Sequence, residues 1–144
     1  MIGEHGDTEV PVWSQVNIAG MGFDHYCAMS RISCEKDDQD LLFNQVKQAA
    51  YEIINRKGYT NQSCHSPRVG TDTEQYPVGE NSVLTVSSLI DGYYDIGDVC
   101  MSLPAVLSQN GIQRQLFMEL SDEEVAMVRN SANKLKQVTQ QFDV

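Results

Sequence analysis

The stretch from Asn81 to Leu120 constrains this chain most, because it reads as strand, turn, strand, hairpin turn and strand. NSVLTVSSLI (81–90) is β-branched and apolar, DGYYD (91–95) is a turn sequence, and VCMSLPAVLSQNG (99–111) is a second extended run. Asn110-Gly111 is a hairpin signal, so IQRQLFMEL (112–120) is expected to return antiparallel. Pro104 has no backbone donor and predicts an edge position or a break within the second run.

Two long helices are expected to flank these strands. Leu42, Val46, Ala49 and Ile53 recur at spacings of four, three and four, a helical stripe that Leu41, Ala50 and Ile54 widen. Lys57-Gly58 then supplies a cationic last turn and a glycine stop. Ser121 and Glu124 form a capping box, and Val125, Val128, Leu135, Val138 and Phe142 predict the buried face of the helix behind it. Upstream, TEVPVWSQVNIAG (8–20) sets Val10, Val12 and Ser14 against Pro11, Trp13 and Gln15, which predicts one extended segment ending at Gly20. Residues 21–39 are mixed, with CEKDDQD as solvated loop and helix start. The fold class is α+β, antiparallel strands packed with long helices, and 144 residues suit a single domain, 1–144.

Charge and cysteine usage narrow the partners. A net charge of −10 argues against a nucleic-acid backbone or an anionic membrane surface. No window has the apolar length of a membrane span, and residues 1–20 lack a basic-then-apolar signal sequence. Cys27, Cys34, Cys64 and Cys100 share no repeated close spacing and read as buried or free thiols in a reducing compartment. A cytoplasmic protein is the expectation.

The candidate chemistry sits at GEHGD (3–7). His5 lies between Gly3 and Gly6, with Glu4 and Asp7 beside it. An unperturbed imidazole titrates near pH ~6.5 and can protonate a carbonyl oxygen. General acid work also needs a second group to orient the ring, and sequence adjacency does not qualify Glu4 or Asp7. A surface turn is the competing reading of the same residues. HYC and CHS put His25 and His65 beside thiols, but a zinc site from His25, Cys27, Cys64 and His65 lacks a second ligand pair at metal spacing. No metal is expected, and nothing marks either thiol as an activated nucleophile.

GEHGDTEVPVWSQVNIAG (3–20) closely resembles the segment around the catalytic histidine of L-lactate dehydrogenases. AAYEIINRKGYTN (49–61) resembles their helix leading into a K-G-x-T substrate threonine, ENSVLTVSSLIDGYYDIGDVCMSLPAVLSQNGI (80–112) the strand pair that follows, and 121–142 the terminal helix. The likeness covers nearly all of this chain and the second half of the family's chain, a C-terminal domain of the lactate/malate dehydrogenase type. It implies that His5 gives a proton to the pyruvate carbonyl as NADH delivers hydride, and takes it back in reverse. The threonine matching Thr60 would help shape the pocket for a small 2-oxo acid. The resemblance also implies NAD as cofactor and a homo-oligomeric parent enzyme.

The departures are equally specific. No G-x-G-x-x-G follows a strand, so the Rossmann nucleotide domain is expected to be absent. By the resemblance, the aspartate that pairs with the histidine and the substrate-clamping arginine also lie before residue 1. None of Arg31, Arg56, Arg68, Arg114 or Arg129 matches a family motif. In 61–80 the family has an apolar helix, whereas NQSCHSPRVGTDTEQYPVGE carries Pro67 and Pro77 and few apolar residues. A local reading-frame slip or a diverged gene copy would produce this segment. The readings that follow are the catalytic half of an NAD-dependent L-lactate dehydrogenase, a catalytically inactive remnant that packs against subunits, and a related malate or other L-2-hydroxy-acid dehydrogenase.

Overall fold

The computed structural model describes residues 1–58 and 81–142. Thr60 and the atypical 61–80 segment lie outside the described residues. Those described fall in two compact units, 1–23 with 81–142 and 24–58.

In the first unit, β5 (Ser82–Tyr93) and β6 (Ile96–Ser108) form a long antiparallel hairpin. Tyr94 and Asp95 make its two-residue turn with φ of 50° and 61°, the left-handed pair that matches the twist of the flanking strands. β7 (Gly111–Gln115) returns along the other edge of β6. β1 (Ile2–Gly3) pairs on that same edge through Gly3 and Ser102, and β2 (Glu9–Val10) pairs with β1. β6 is therefore interior, with neighbours on both sides.

This overturns the expectation that Pro104 marks an edge or a break. Its carbonyl accepts the Leu116 N–H at 2.8 Å, so its nitrogen faces the β1/β7 side. On that side β1 pairs at Ser102 and β7 begins at Ala105, so no partner strand needs the donor that proline lacks. The expected return strand over 112–120 is also shorter, ending at Gln115. The Tyr94 hydroxyl holds the next stretch instead, donating to the Met118 carbonyl and accepting from the Leu120 N–H, both at 2.9 Å.

The run 8–20 is not one extended segment. After β2 it makes a 3₁₀ turn at Trp13–Gln15, followed by a small hairpin of β3 (Asn17–Ile18) and β4 (Met21–Gly22). Trp13 stacks at a tilt on Phe23, with ring centroids 5.3 Å apart.

The last helix, α3 (Asp122–Gln140), starts with the expected capping box, Ser121 and Glu124 exchanging backbone hydrogen bonds. It packs on β1, β2 and β6. Every second residue of β6 from Val99 to Ala105 points into the core, which also gathers Ile2, Val10, Ile90, Tyr93, Ile96, Val128 and Ala132. The helix buries Glu124, Val128, Ser131 and Ala132, with Leu135 packed beside them. Val138 and Phe142, expected on that face, are 42% and 79% exposed.

The second unit holds α1 (Phe23–Ser30, its first residue belonging to the first unit) and α2 (Lys36–Lys57). The stop of α2 is as expected: Gly58 adopts φ 80° and returns its N–H to the Ile54 carbonyl at 2.7 Å. Asp37 and Asp38 at its start and Arg56 and Lys57 at its end suit the helix dipole. Its apolar stripe is helical but little buried, with Leu42, Val46 and Ile54 at 50%, 48% and 41% exposure.

The cysteine expectation is corrected here. Arg31 takes φ 54° and the Ile32 N–H returns to the Cys27 carbonyl at 3.2 Å, a reversal that ends α1. The turn brings Cys34 to a Cα separation of 6.0 Å from Cys27, and the two form a disulfide. Cys100, exposed on β6, is the free thiol among the described cysteines. Trypsin cuts after Arg31, between the bridged residues, so a non-reduced digest of the protein is expected to yield the two flanking peptides joined through Cys27 and Cys34. Mass spectrometry before and after reduction checks it, and separate peptides without reductant would contradict it.

Candidate active site

The β1–β2 connection carries His5 at its tip, and its backbone is held from below. Gly3, at φ 95°, turns the chain where a side chain would clash: an added Cβ would lie 2.8 Å from the Ser131 hydroxyl oxygen. Gly6 has no positive φ, so of the two glycines only Gly3 supplies left-handed freedom; a Cβ at Gly6 would instead crowd the Glu4 carboxylate at 3.2 Å.

The acidic neighbours have separate tasks. The Glu4 carboxylate folds inward and accepts the Thr8 N–H at 3.2 Å together with the Thr8 hydroxyl, closing the turn on itself. The Glu9 N–H reaches the Gly6 carbonyl at 3.4 Å. Glu9, absent from the sequence-level candidates, brings its Oε1 to 3.6 Å from His5 Nδ1. The His5 side chain is 85% exposed and that of Glu9 20%. The ring thus stands at the surface, open to a ligand, with a carboxylate near one of its nitrogens to orient it.

Two polar residues of α3 fix the segment that carries His5. Ser131, fully buried, accepts the Glu4 N–H at 2.7 Å, and its oxygen is 3.4 Å from Thr8 Oγ1. Glu124, 5% exposed, accepts the Ser14 N–H at 2.9 Å and the Ser14 hydroxyl at 2.6 Å, besides the Ser121 N–H at 2.9 Å. Burial pushes the Glu124 carboxyl up, but the hydrogen bonds from Ser14 and Ser121 outweigh it and hold the group below its ordinary value. Sequence reasoning used Glu124 only as a cap and passed over Ser131. The available signal was a serine inside the apolar stripe of Val128, Ala132 and Leu135, where a hydroxyl needs a partner.

His5 and Thr60 are not both placed, since Thr60 is outside the described residues. His25 lies in α1, and Cys27, the thiol of the imagined zinc set that falls on described residues, is in the disulfide. Among the described residues no group of three His, Cys, Asp or Glu side chains gathers as for a metal, and no helix is long and apolar enough to cross a membrane.

The family profile described as lactate/malate dehydrogenase, alpha/beta C-terminal domain, matches residues 1–143. The chain is 42% identical over 144 residues to the L-lactate dehydrogenase of Acetivibrio thermocellus, covering all of this chain and 45% of that protein. It is 44% identical over 144 residues to the L-lactate dehydrogenase of Thermoanaerobacter pseudethanolicus, covering all of this chain and 46% of that one. A solved L-lactate dehydrogenase from Clostridium thermocellum superposes with a TM-score of 0.76 and 30% identity, covering 99% of this chain and 45% of that chain. A lactate dehydrogenase from a Medee basin deep-sea metagenome library superposes with a TM-score of 0.80 and 33% identity, covering 94% and 43%. The chain spans less than half the length of these relatives.

The lowered value at Glu124 sets a direction for stability against pH. The folded group titrates below its unfolded value of 4.5, so its contribution is full above that pH and is lost as pH falls through the lower folded value. Urea midpoints measured from neutral to acid pH are expected to fall in that window, and Glu124→Gln to flatten the fall while costing about 1–3 kcal/mol at neutral pH. Identical acid limbs in the two proteins would remove the carboxylate from this role.

Proposed function

Since this chain belongs to the lactate/malate dehydrogenase family through its alpha/beta C-terminal domain, we propose that it is the substrate-binding and catalytic half of an NAD-dependent L-lactate dehydrogenase. On this reading 1–144 is that half, and the nucleotide-binding half is contributed by another segment or chain. The observation that carries the reading is the GEHGD turn: its backbone is tied down at Glu4 and Thr8 while the His5 ring points outward.

The residues present fit the reacting end of the cofactor. An exposed imidazole on a pinned turn can face a nicotinamide and a small 2-oxo acid together, which a buried ring could not. NAD, when bound, supplies or takes up the hydride. The protein's own part is the proton: His5, its ring oriented by Glu9, donates to the carbonyl oxygen where negative charge grows, and recovers the proton in the oxidative direction. By the family likeness, Thr60 would be the threonine that helps shape the substrate pocket. Pyruvate and lactate are the assigned pair because the relatives quoted above are named for lactate. Oxaloacetate and malate, or another 2-oxo and 2-hydroxy acid pair, form the related alternative.

A second reading, a subunit-packing module without activity of its own, draws support from α2, whose Leu42, Val46 and Ile54 are exposed. Both readings expect association with like subunits and neither needs nucleic acid or a membrane. The compartment on the first reading is the cytoplasm, which would keep Cys27 and Cys34 as thiols, so the state of that pair also tests the compartment.

Joining the chain to the nucleotide-binding half of a relative and following NADH oxidation with pyruvate and with oxaloacetate tests the proposal. Turnover is expected to prefer pyruvate, and His5→Asn to lower kcat by about 10²–10⁴-fold. Unchanged turnover in His5→Asn would defeat the proton-donor role. No turnover, with stable assembly by light scattering, would leave the packing module.

A further inference from the structure

Ser131 occupies an unusual place. It is a fully buried hydroxyl on α3, yet what it binds is the backbone of the turn bearing His5, more than 120 positions away in the chain. Its oxygen accepts the Glu4 N–H at 2.7 Å, immediately before His5, and lies 3.4 Å from Thr8 Oγ1, three residues after it. Gly3 approaches so closely that even a methyl group there would stand 2.8 Å from that oxygen. The His5 ring has Glu9 at 3.6 Å, and its side chain is 85% exposed. A ring so exposed takes its position from the backbone beneath it.

We propose that Ser131 is the positioning residue for His5: its hydroxyl, docked between Glu4 and Thr8, sets where the imidazole stands relative to α3 and the sheet. The proposal rests on the reading of His5 as proton donor for its importance to activity, but its geometry stands apart from that reading. Alanine at 131 would keep the helix and the packing of Val128 and Ala132 while leaving the Glu4 N–H without its acceptor. A buried donor so orphaned opens toward water, and the turn loosens on both sides of His5. Threonine retains the hydroxyl and should keep the tie. Ala132→Gly supplies the contrast, since it weakens the same helix at a neighbouring buried position and leaves the hydroxyl in place.

The test is amide hydrogen exchange and the ¹H–¹⁵N signals of the His5 ring in the labelled chain, for the parent, Ser131→Ala, Ser131→Thr and Ala132→Gly. In Ser131→Ala the Glu4 amide is expected to exchange at least about tenfold faster relative to the β5–β6 amides, with the His5 ring signals displaced. Ser131→Thr should return both to the parental state, and Ala132→Gly should speed exchange across the unit without singling out Glu4. A Glu4 amide no more affected by Ser131→Ala than by Ala132→Gly overturns the proposal, as does failure of Ser131→Thr to restore it.

Activity separates the two ideas. In the joined enzyme Ser131→Ala should lower kcat with KM for pyruvate little changed, because it misplaces the proton-donating ring and removes no group assigned to substrate binding. If exchange responds as expected but His5→Asn keeps full turnover, the proton-donor reading fails and the positioning role survives. If His5→Asn abolishes turnover while Ser131→Ala leaves Glu4 protected, the positioning role alone fails.

Discussion

A buried carboxylate on the last helix ties the N-terminal segment to α3 at Ser14. Glu124 receives the N–H and the hydroxyl of Ser14 from 110 positions earlier, and the N–H of Ser121 from its own cap. Removing a charge from water is costly, and here that cost is offset by three donors on two oxygens, so the site tolerates the charge only while every partner stays in place. One group thereby starts α3 and anchors the segment that begins with the GEHGD turn. Ser131, nearly two helical turns further along the same face, makes the second tie. α3 acts as the template on which the N-terminal segment is laid out.

The sheet supplies the rigid floor for this arrangement. β6 runs through its interior, with β5 along one edge and β1 and β7 dividing the other. The division accommodates Pro104 and gives β1 a berth at Ser102, which sets the GEHGD turn beside α3. The turn needs both supports: pairing with β6 fixes its base, and the side chains of α3 fix its backbone just before and after His5. Functional side chains placed on loops owe their accuracy to such scaffolds.

Much of this was legible in the residues. The β5–β6 hairpin, the capping box and the glycine stop of α2 follow from propensity, turn chemistry and periodicity, which act over a few positions. His5 was legible through the motif around it. Glu9, with its carboxylate beside the ring, was not, because the separation of four that brings them close arises from the turn between β1 and β2 rather than from a helix. The C-terminal end of α3 was read too far: periodicity gives the direction of an apolar stripe, but not how much of its length the sheet covers, so Val138 and Phe142 are exposed. The bond between Cys27 and Cys34 was missed because it depends on a left-handed reversal at Arg31, a residue type that does not announce one.

The sequence alone determined the antiparallel strands, the two long helices, the family likeness and the histidine on which the proposed chemistry turns, since each is written in short-range pattern or motif. Only the tertiary structure decided that Pro104 sits within an interior strand, that 8–20 breaks into short pieces, and that Glu124 and Ser131 grip the turn carrying His5. The physical reason is range. Hydrogen bonds between residues more than a hundred positions apart leave no spacing in the sequence to read, and they exist only once the core has brought α3 against β1 and β2.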